Sequence, residues 1–509
     1  MKNKQVYFNL AAQLIAFAVS FAISFFVSPI IIREVGKETY GFLGMANSFV
    51  GYVTIITVAL NALAGRFVTI HLHRNEEETA NRYFSSVFFS NLFIVAVLLI
   101  PAIIFILCLD KLFDVPLHSV VSVQITFGLV FLGFFVQLLC SVFSVATFAT
   151  NKVYLTSLRT IEANVLRVAV IVCTFWLFRP NIAFVALGMT AYYVFVAITN
   201  VRYTKRLLPQ IRVQRKYFDR QKIKELIVSG CWNSITALSN TLLEGLDLLI
   251  SNVALGAEAM GTISIVKTIP SMINQCMSSV LGVFTPQLTI CYAKRDIRGL
   301  LFHLNYACKL VGMLLSLPVA FVLVFGDSFF RLWLPAEDAA QLWGLSVLSM
   351  GSLAFCGSVV VMYNLFTVTN QLKKPALVTL LTGVANTTIV FLLLKTTDLG
   401  VYVIVAVSSV MALLRNLLFN IPYAAKCIEQ SAGRFYWLAI RSLLFVCIAA
   451  VLGFAIKACA PIESWLHLIA CAGAMCVAAV ILVFVFFFSR EEKQEVQQLL
   501  LSKLHRHAK

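Results

Sequence analysis

Seven ionisable side chains interrupt long apolar stretches of this sequence: Glu162, Arg167, Glu244, Asp247, Lys267, Lys309 and Arg415. In hydrocarbon each would cost about 2.5–3.5 kcal/mol or more, so each is expected to face a cavity or a partner. Glu244 and Asp247 lie three residues apart and share one helical face. Lys267 falls at a similar depth on the next stretch, roughly 10 Å in at about 1.5 Å per residue. An ion pair across that hairpin is expected, acting either as a structural staple or as a gate or coupling site. Arg167, Lys309 and Arg415 count to roughly 14–18 Å from the ends of their stretches, near a midplane. Three cations at one depth, with no acid beside them, can line a cavity for an anionic group. Guanidinium forks suit phosphate oxygens in particular. The competing reading is snorkelling, or pairing with backbone carbonyls. Glu162, nearer an end, reads as structural.

The elements that carry these charges follow from composition. Of 509 residues, 12% are charged and 60% apolar, with a mean hydropathy of +0.90. A soluble domain carries about 25% charged residues, and disorder requires low hydrophobicity. Both classes are excluded, which leaves a polytopic membrane protein. Apolar runs such as Ser90–Leu109 and Ile469–Phe488 are unbroken over the roughly 20 residues that cross a bilayer as helix. Barrel strands would alternate instead. The expected class is therefore all-α, with about fourteen transmembrane helices near 8–32, 41–64, 84–110, 119–148, 155–178, 182–201, 226–254, 261–290, 300–325, 342–368, 375–395, 399–424, 436–457 and 463–488.

Lys and Arg set the orientation. With the N-terminus inside, 29 of the 40 cations fall on the inner side, 7 on the outer side and 4 within spans. That bias obeys the positive-inside rule and places both termini in the cytoplasm. The net charge of +17 then reports topology and attraction to anionic lipid, and no nucleic-acid partner is needed. The thirteen Cys are scattered singly, and His71 and His73 do not share a helical face, so no metal site is expected. No Walker A sequence or hydrolase motif is present, and neither enzyme activity nor a cofactor is expected. The longest expected outer loop, near Gly326–Gln341, holds only Asp327, Glu337 and Asp338 as acids.

A basic segment, Arg202–Lys224, holds nine cations and one acid, Asp219. It divides an N-terminal lobe (1–202, spans 1–6) from a C-terminal lobe (225–425, spans 7–12). Two extra spans (426–488) and a tail (489–509) follow. The tail reads either as an amphipathic surface helix or as a solvated end. An ungapped shift of 220 residues lays Gly36-x-Glu38-x-x-Gly41 over Gly256-x-Glu258-x-x-Gly261, Thr69-Ile70 over Thr289-Ile290, and Asn47 over Lys267. Two six-helix lobes related by a pseudo-two-fold axis along the membrane normal are expected, with a substrate site between them.

The run Pro29-x-x-x-Arg33-x-x-Gly36-x-x-x-Tyr40-Gly41, followed by Asn61-Ala62-Leu63-Ala64-Gly65-Arg66, resembles the N-terminus of Wzx-type oligosaccharide-lipid flippases. These belong to the multidrug, oligosaccharidyl-lipid, polysaccharide (MOP) exporter superfamily. The resemblance implies a MATE-like fold in the bacterial cytoplasmic membrane. It implies transfer of undecaprenyl-pyrophosphate-linked repeat units to the outer leaflet for O-antigen, capsule or exopolysaccharide. Its implied partners are the lipid-linked oligosaccharide, membrane lipids, and polymerase and chain-length proteins of the same pathway. Arg33, Gly36, Tyr40, Gly41 and Arg66 match the family motif, where a span-end structural role stands beside substrate contact. Two relatives remain as alternatives. MATE drug exporters often carry an acid in the first span, and residues 8–32 have none. The lipid II flippase has an Arg-Asp pair there, which is also missing.

Overall fold

A computed structural model describes residues 2–61, 63–116, 119–150, 152–369, 371–459 and 462–488. The expected tail helix of 489–509 lies outside the described residues, as does Ala62 of the motif. The described residues form helices, turns and loops, with no strand. Among them, twelve helical segments are long and apolar enough to cross a membrane. The chain is a multi-pass membrane protein.

Two stretches expected as continuous spans are not among these twelve, and each contains an interruption. Residues 226–254 are broken by a π-helical turn, Thr241–Gly245. Residues 261–290 are broken at Lys267, the turn residue between two helices. Hydropathy reports transfer to lipid and is blind to such breaks. The outer loop expected at 326–341 is also mostly helix, because one helix runs on through Trp333 and the next begins at Ala339.

Two compact units form, Met1–Ile265 with Thr379–Val401, and Val266–Val378 with Tyr402–Lys509. The first contains α1 (Lys2–Val35), α2 (Lys37–Asn61), α3 (Ala64–His73), α4 (Glu77–Leu107), α5 (Leu109–Leu112), α6 (Val120–Cys140), α7 (Val145–Ala149), α8 (Val153–Leu177), α9 (Ile182–Leu207), α10 (Arg220–Asn240), α11 (Asp247–Leu255) and α12 (Ala257–Val266, its last residue excepted). Here α6 and α8 pack on α9, α1 on α8, and α2 on α10. The α2–α10 approach is close. A Cβ on Gly230 would stand 2.0 Å from the Ala59 carbonyl oxygen, so only glycine fits. Ser234 ties the same seam by donating to the Ile55 carbonyl (2.7 Å) and accepting from the Ala59 N–H (3.1 Å).

The basic linker is pinned to the start of α4. Asn81 accepts from the Arg212 N–H (2.7 Å) and donates to the Gln210 carbonyl (3.1 Å). Ser85 bridges Arg212 and Gln214, and Ser86 accepts from the Asp219 N–H at 2.9 Å. Asp219 then caps α10 through the Gln221 N–H (2.8 Å), the usual N-cap chemistry. One turn on, Glu225 accepts from the Tyr83 hydroxyl (2.5 Å) and from Lys222 (3.0 Å). Those hydrogen bonds hold its carboxyl below the ordinary range. This segment is therefore a fixed strap, with Leu208 and Ile211 buried in an apolar cluster that includes Val68, Phe84 and Leu226.

The second unit contains α13 (Thr268–Ala293), α14 (Ile297–Trp333), α15 (Ala339–Cys356), α16 (Val359–Val368), α18 (Val401–Arg415, after its first residue), α19 (Ile421–Cys427), α20 (Ala432–Cys459) and α21 (Trp465–Phe487); α17 (Lys373–Thr396) contributes its first six residues here and the rest to the first unit. The 37-residue α14 packs along α20 and α15. Aspartates start the helices: Asp296 accepts from the Gly299 N–H (2.9 Å), and Asp338 from Ala340 (3.0 Å) and Gln341 (3.1 Å). The break between α15 and α16 is stitched by Ser442, which accepts from the Ser358 N–H at 3.1 Å.

Candidate functional site

The motif residues serve two helical hairpins. Gly36 (φ +87°) separates α1 from α2, and Gly256 (φ +93°) separates α11 from α12. Both adopt the left-handed conformation that favours glycine, at positions the 220-residue shift equates. The hairpins meet. A Cβ on Gly41 would lie 3.0 Å from the Gly261 Cα, and one on Gly261 would lie 2.5 Å from the Lys37 carbonyl oxygen. Lys37 and Glu258 pair across the contact at 2.9 Å. Asp114 clamps the second hairpin: its carboxylate accepts from the Ala257 N–H (3.2 Å), and its backbone N–H donates to Asn252 Oδ1 (3.1 Å). Arg33 is exposed and bonds Glu34 at 2.8 Å; Arg66 is exposed on α3.

Arg167, on α8, lies within electrostatic reach of Tyr40, Tyr192 and Tyr193. Its Nε is buried with no hydrogen-bond partner among the described residues. Glu162 instead pairs with Arg159 at 2.6 Å. One motif residue, Tyr40, thus neighbours one of the mid-span cations.

The break in the seventh stretch is a built feature. A π-turn and the helix start behind it leave carbonyls without the usual i→i−4 donors. Tyr52 donates to the Gly245 carbonyl (2.7 Å), Asn386 to Leu243 (3.0 Å) and Thr387 to Leu242 (3.1 Å). Asp247 opens α11 directly after the break and is buried, at 5% exposure, with Tyr52 beside it. Of Glu244 only the backbone is described, within the π-turn. Lys267 belongs to the second unit, at its own helix break.

In the second unit Arg415 ends α18, immediately before a second π-helical turn, Asn416–Asn420. Asn416 accepts from the Tyr363 hydroxyl (2.5 Å) and from Asn420 (2.7 Å). Arg415 acts electrostatically on Tyr363 and Cys356. Its Nε is likewise buried and unpartnered among the described residues, as is the Asn364 side-chain amide nitrogen. Lys309 has other surroundings. It is 6% exposed on α14, and its ammonium lies 5.7 Å from the Phe488 ring, just past α21. That sets it level with the C-terminal end of the last span.

Tyr52, Tyr363, Asn386, Asn416 and Asn420 line the two π-helical breaks, and a reading of ionisable groups alone passes over them. The signal available was a neutral amide or phenol inside an apolar run. The His pair has local contacts: His71 Nδ1 lies 2.5 Å from Glu76 Oε2, and His73 Nε2 lies 3.2 Å from the Ala149 carbonyl. No group of three or more His, Cys, Asp or Glu placed to hold a metal occurs among the described residues.

Residues 6–289 match the model of a family described as polysaccharide biosynthesis protein. The chain belongs to that family. It is 28% identical over 488 residues, 96% of each chain, to an uncharacterized membrane protein, EpsK, of Bacillus subtilis (strain 168). Its fold is similar to an inward-facing MATE multidrug-resistance transporter of the MOP superfamily (TM-score 0.62, 14% identity, 82% of this chain and 96% of the other). It is also similar to the lipid II flippase MurJ in an inward closed conformation (TM-score 0.64, 12% identity, 95% and 99%).

Proposed function

We propose that this protein moves undecaprenyl-pyrophosphate-linked oligosaccharide units from the cytoplasmic to the outer leaflet of a bacterial cytoplasmic membrane, both termini lying in the cytoplasm. The observation that carries the reading is membership of a polysaccharide biosynthesis family on a transporter fold. A pyrophosphate-sugar head is too polar to cross hydrocarbon unaided, so it needs a polar route while its isoprenoid tail stays in lipid.

Arg167 and Arg415 are the best-supported contacts for the pyrophosphate, since each keeps a buried guanidinium nitrogen unpartnered among the described residues. Tyr40, Tyr192 and Tyr193 near Arg167, and Tyr363 near Arg415, offer hydroxyls and ring faces to sugars. Lys309, packed against Phe488, serves as a more peripheral cation. Glu244, Asp247 and Lys267, each at a helix break, are gate or coupling residues; Asp247→Asn and Lys267→Gln should each slow transport at unchanged protein level, and a normal rate in either would remove that residue from the role. Polymerase and chain-length proteins would act on the delivered units.

The deciding experiment is reconstitution. Proteoliposomes holding the full chain should expose a fluorescent undecaprenyl-pyrophosphate oligosaccharide to an external glycosidase faster than protein-free vesicles do. Export of cationic dyes without that activity would instead favour the drug-exporter alternative.

A further inference from the structure

A second polar–apolar feature lies in the first unit, away from Arg167. Ile56, Leu60, Phe89, Phe93 and Ile227, from α2, α4 and α10, wall a cavity of about 630 Å³, and Arg215 and Arg220 stand in its lining. That volume falls within the roughly 300–1,000 Å³ typical of small-molecule sites. The walls are open to hydrocarbon, with Phe93 69% and Ile56 63% exposed. Both arginines are exposed, and neither side chain has an ion pair or hydrogen bond among the described residues. They are nevertheless held in place. The strap carrying Arg215 is bonded to Ser85 and Ser86, and Phe218 meets the Phe89 ring edge-on at 6.3 Å.

We infer that this groove is a binding site for an anionic phospholipid of the adjoining leaflet, its phosphate on Arg215 and Arg220 and its chain against Phe93 and Ile56. Two uncompensated guanidinium groups fit a phosphodiester. A soluble anion would leave the apolar wall unused, and a neutral lipid would leave both charges unanswered. Basic pockets between spans on the cation-rich face bind lipid head groups by this combination. Because α2, α4, the strap and α10 all line the cavity, a bound lipid would brace the seam where Gly230 meets Ala59.

The test is native mass spectrometry of the full chain with phosphatidylglycerol or phosphatidylcholine of equal chain length. Phosphatidylglycerol should be retained about tenfold more strongly. Arg215→Gln with Arg220→Gln should remove that preference, and the paired change to Lys should keep most of it. Arg212→Gln with Lys216→Gln, which alters the neighbouring polar cleft, should leave it intact. A phosphatidylglycerol carrying a photoreactive chain should label the segments around Ile56 and Phe93. Equal retention of the two lipids, an equal loss from the Arg212 and Lys216 changes, or labelling confined to other segments would overturn the assignment. Displacement of phosphatidylglycerol by equimolar undecaprenyl phosphate would overturn it in favour of an isoprenoid occupant.

Discussion

Arg415 and Arg167 show how far a single side chain could be read in advance. Each stood out because charges are scarce in the spans, and each keeps a buried Nε without a partner among the described residues. Their neighbours were not legible. Tyr363, Asn416 and Asn420 are neutral, and nothing in their spacing announces that they form a hydrogen-bonded cluster. Counting along a stretch that begins near residue 300 puts Lys309 near the midplane. The helix begins at Ile297 and runs for 37 residues, longer than a bilayer needs, so the count gave no fixed depth. Hydrogen bonds to charged groups contribute about 1.5–3 kcal/mol. Arg415→Gln should therefore slow lipid-oligosaccharide flipping about ten- to a hundredfold at unchanged protein level, with Arg415→Lys intermediate because an ammonium cannot make the forked contact. Normal rates in both would remove Arg415 from the substrate path. Glu225 supplies a pH prediction. Its carboxyl is held below the ordinary range by Tyr83 and Lys222, so the stability it adds is present above the unfolded-state pKa and is lost as pH falls through the lowered value. Thermal unfolding of Glu225→Gln in detergent should show a smaller decline on acidification than the parent shows.

At the scale of elements, the spans were legible as apolar runs and the hairpin glycines as a repeated motif, while the helix breaks were not. Residues 226–254 mix apolar and polar side chains with two acids, and the helix changes to a π-turn at Thr241–Gly245. The only pointers in the sequence were Gly245 and the two flanking acids, and interrupted helices of this kind commonly carry transporter sites. The break persists because three side chains from neighbouring helices answer its carbonyls. Removing one donor leaves a buried acceptor unsatisfied, at a cost of about 1–3 kcal/mol. Asn386→Ala and Tyr52→Phe should each lower the unfolding midpoint. They should also weaken transport more than equally destabilising changes elsewhere, because the orientation of Asp247 follows from the break. A loss of stability with fully normal transport would make the π-turn a packing feature alone. By composition the basic segment is a linker. Asn81, Ser85 and Ser86 make it a strap, through contacts more than a hundred residues apart in sequence that no local pattern encodes.

For the whole molecule, the proposed activity requires an outer passage that opens and closes. The close approach of α2 and α12 is a candidate closure. Gly41 and Gly261 bring the two helices together, Lys37–Glu258 holds their ends, and one turn further in Gly44 faces Ser264. The motif shared by the two halves of the sequence is thus also the place where those two hairpins touch, which explains why small residues recur there. A Cβ built on Gly44 lies 3.6 Å from the Ser264 Cβ, within the roughly 3.5–4.5 Å that a disulfide spans. Gly44→Cys together with Ser264→Cys should therefore cross-link under mild oxidation, detectable as one joined peptide after digestion. If α2 and α12 must part for the substrate head to leave, the oxidised protein should stop flipping and the reduced protein should recover. Each single substitution should remain active under both conditions. An oxidised, fully cross-linked protein that still flips at the parent rate would show that these helices stay together throughout the cycle and that the head leaves by another route.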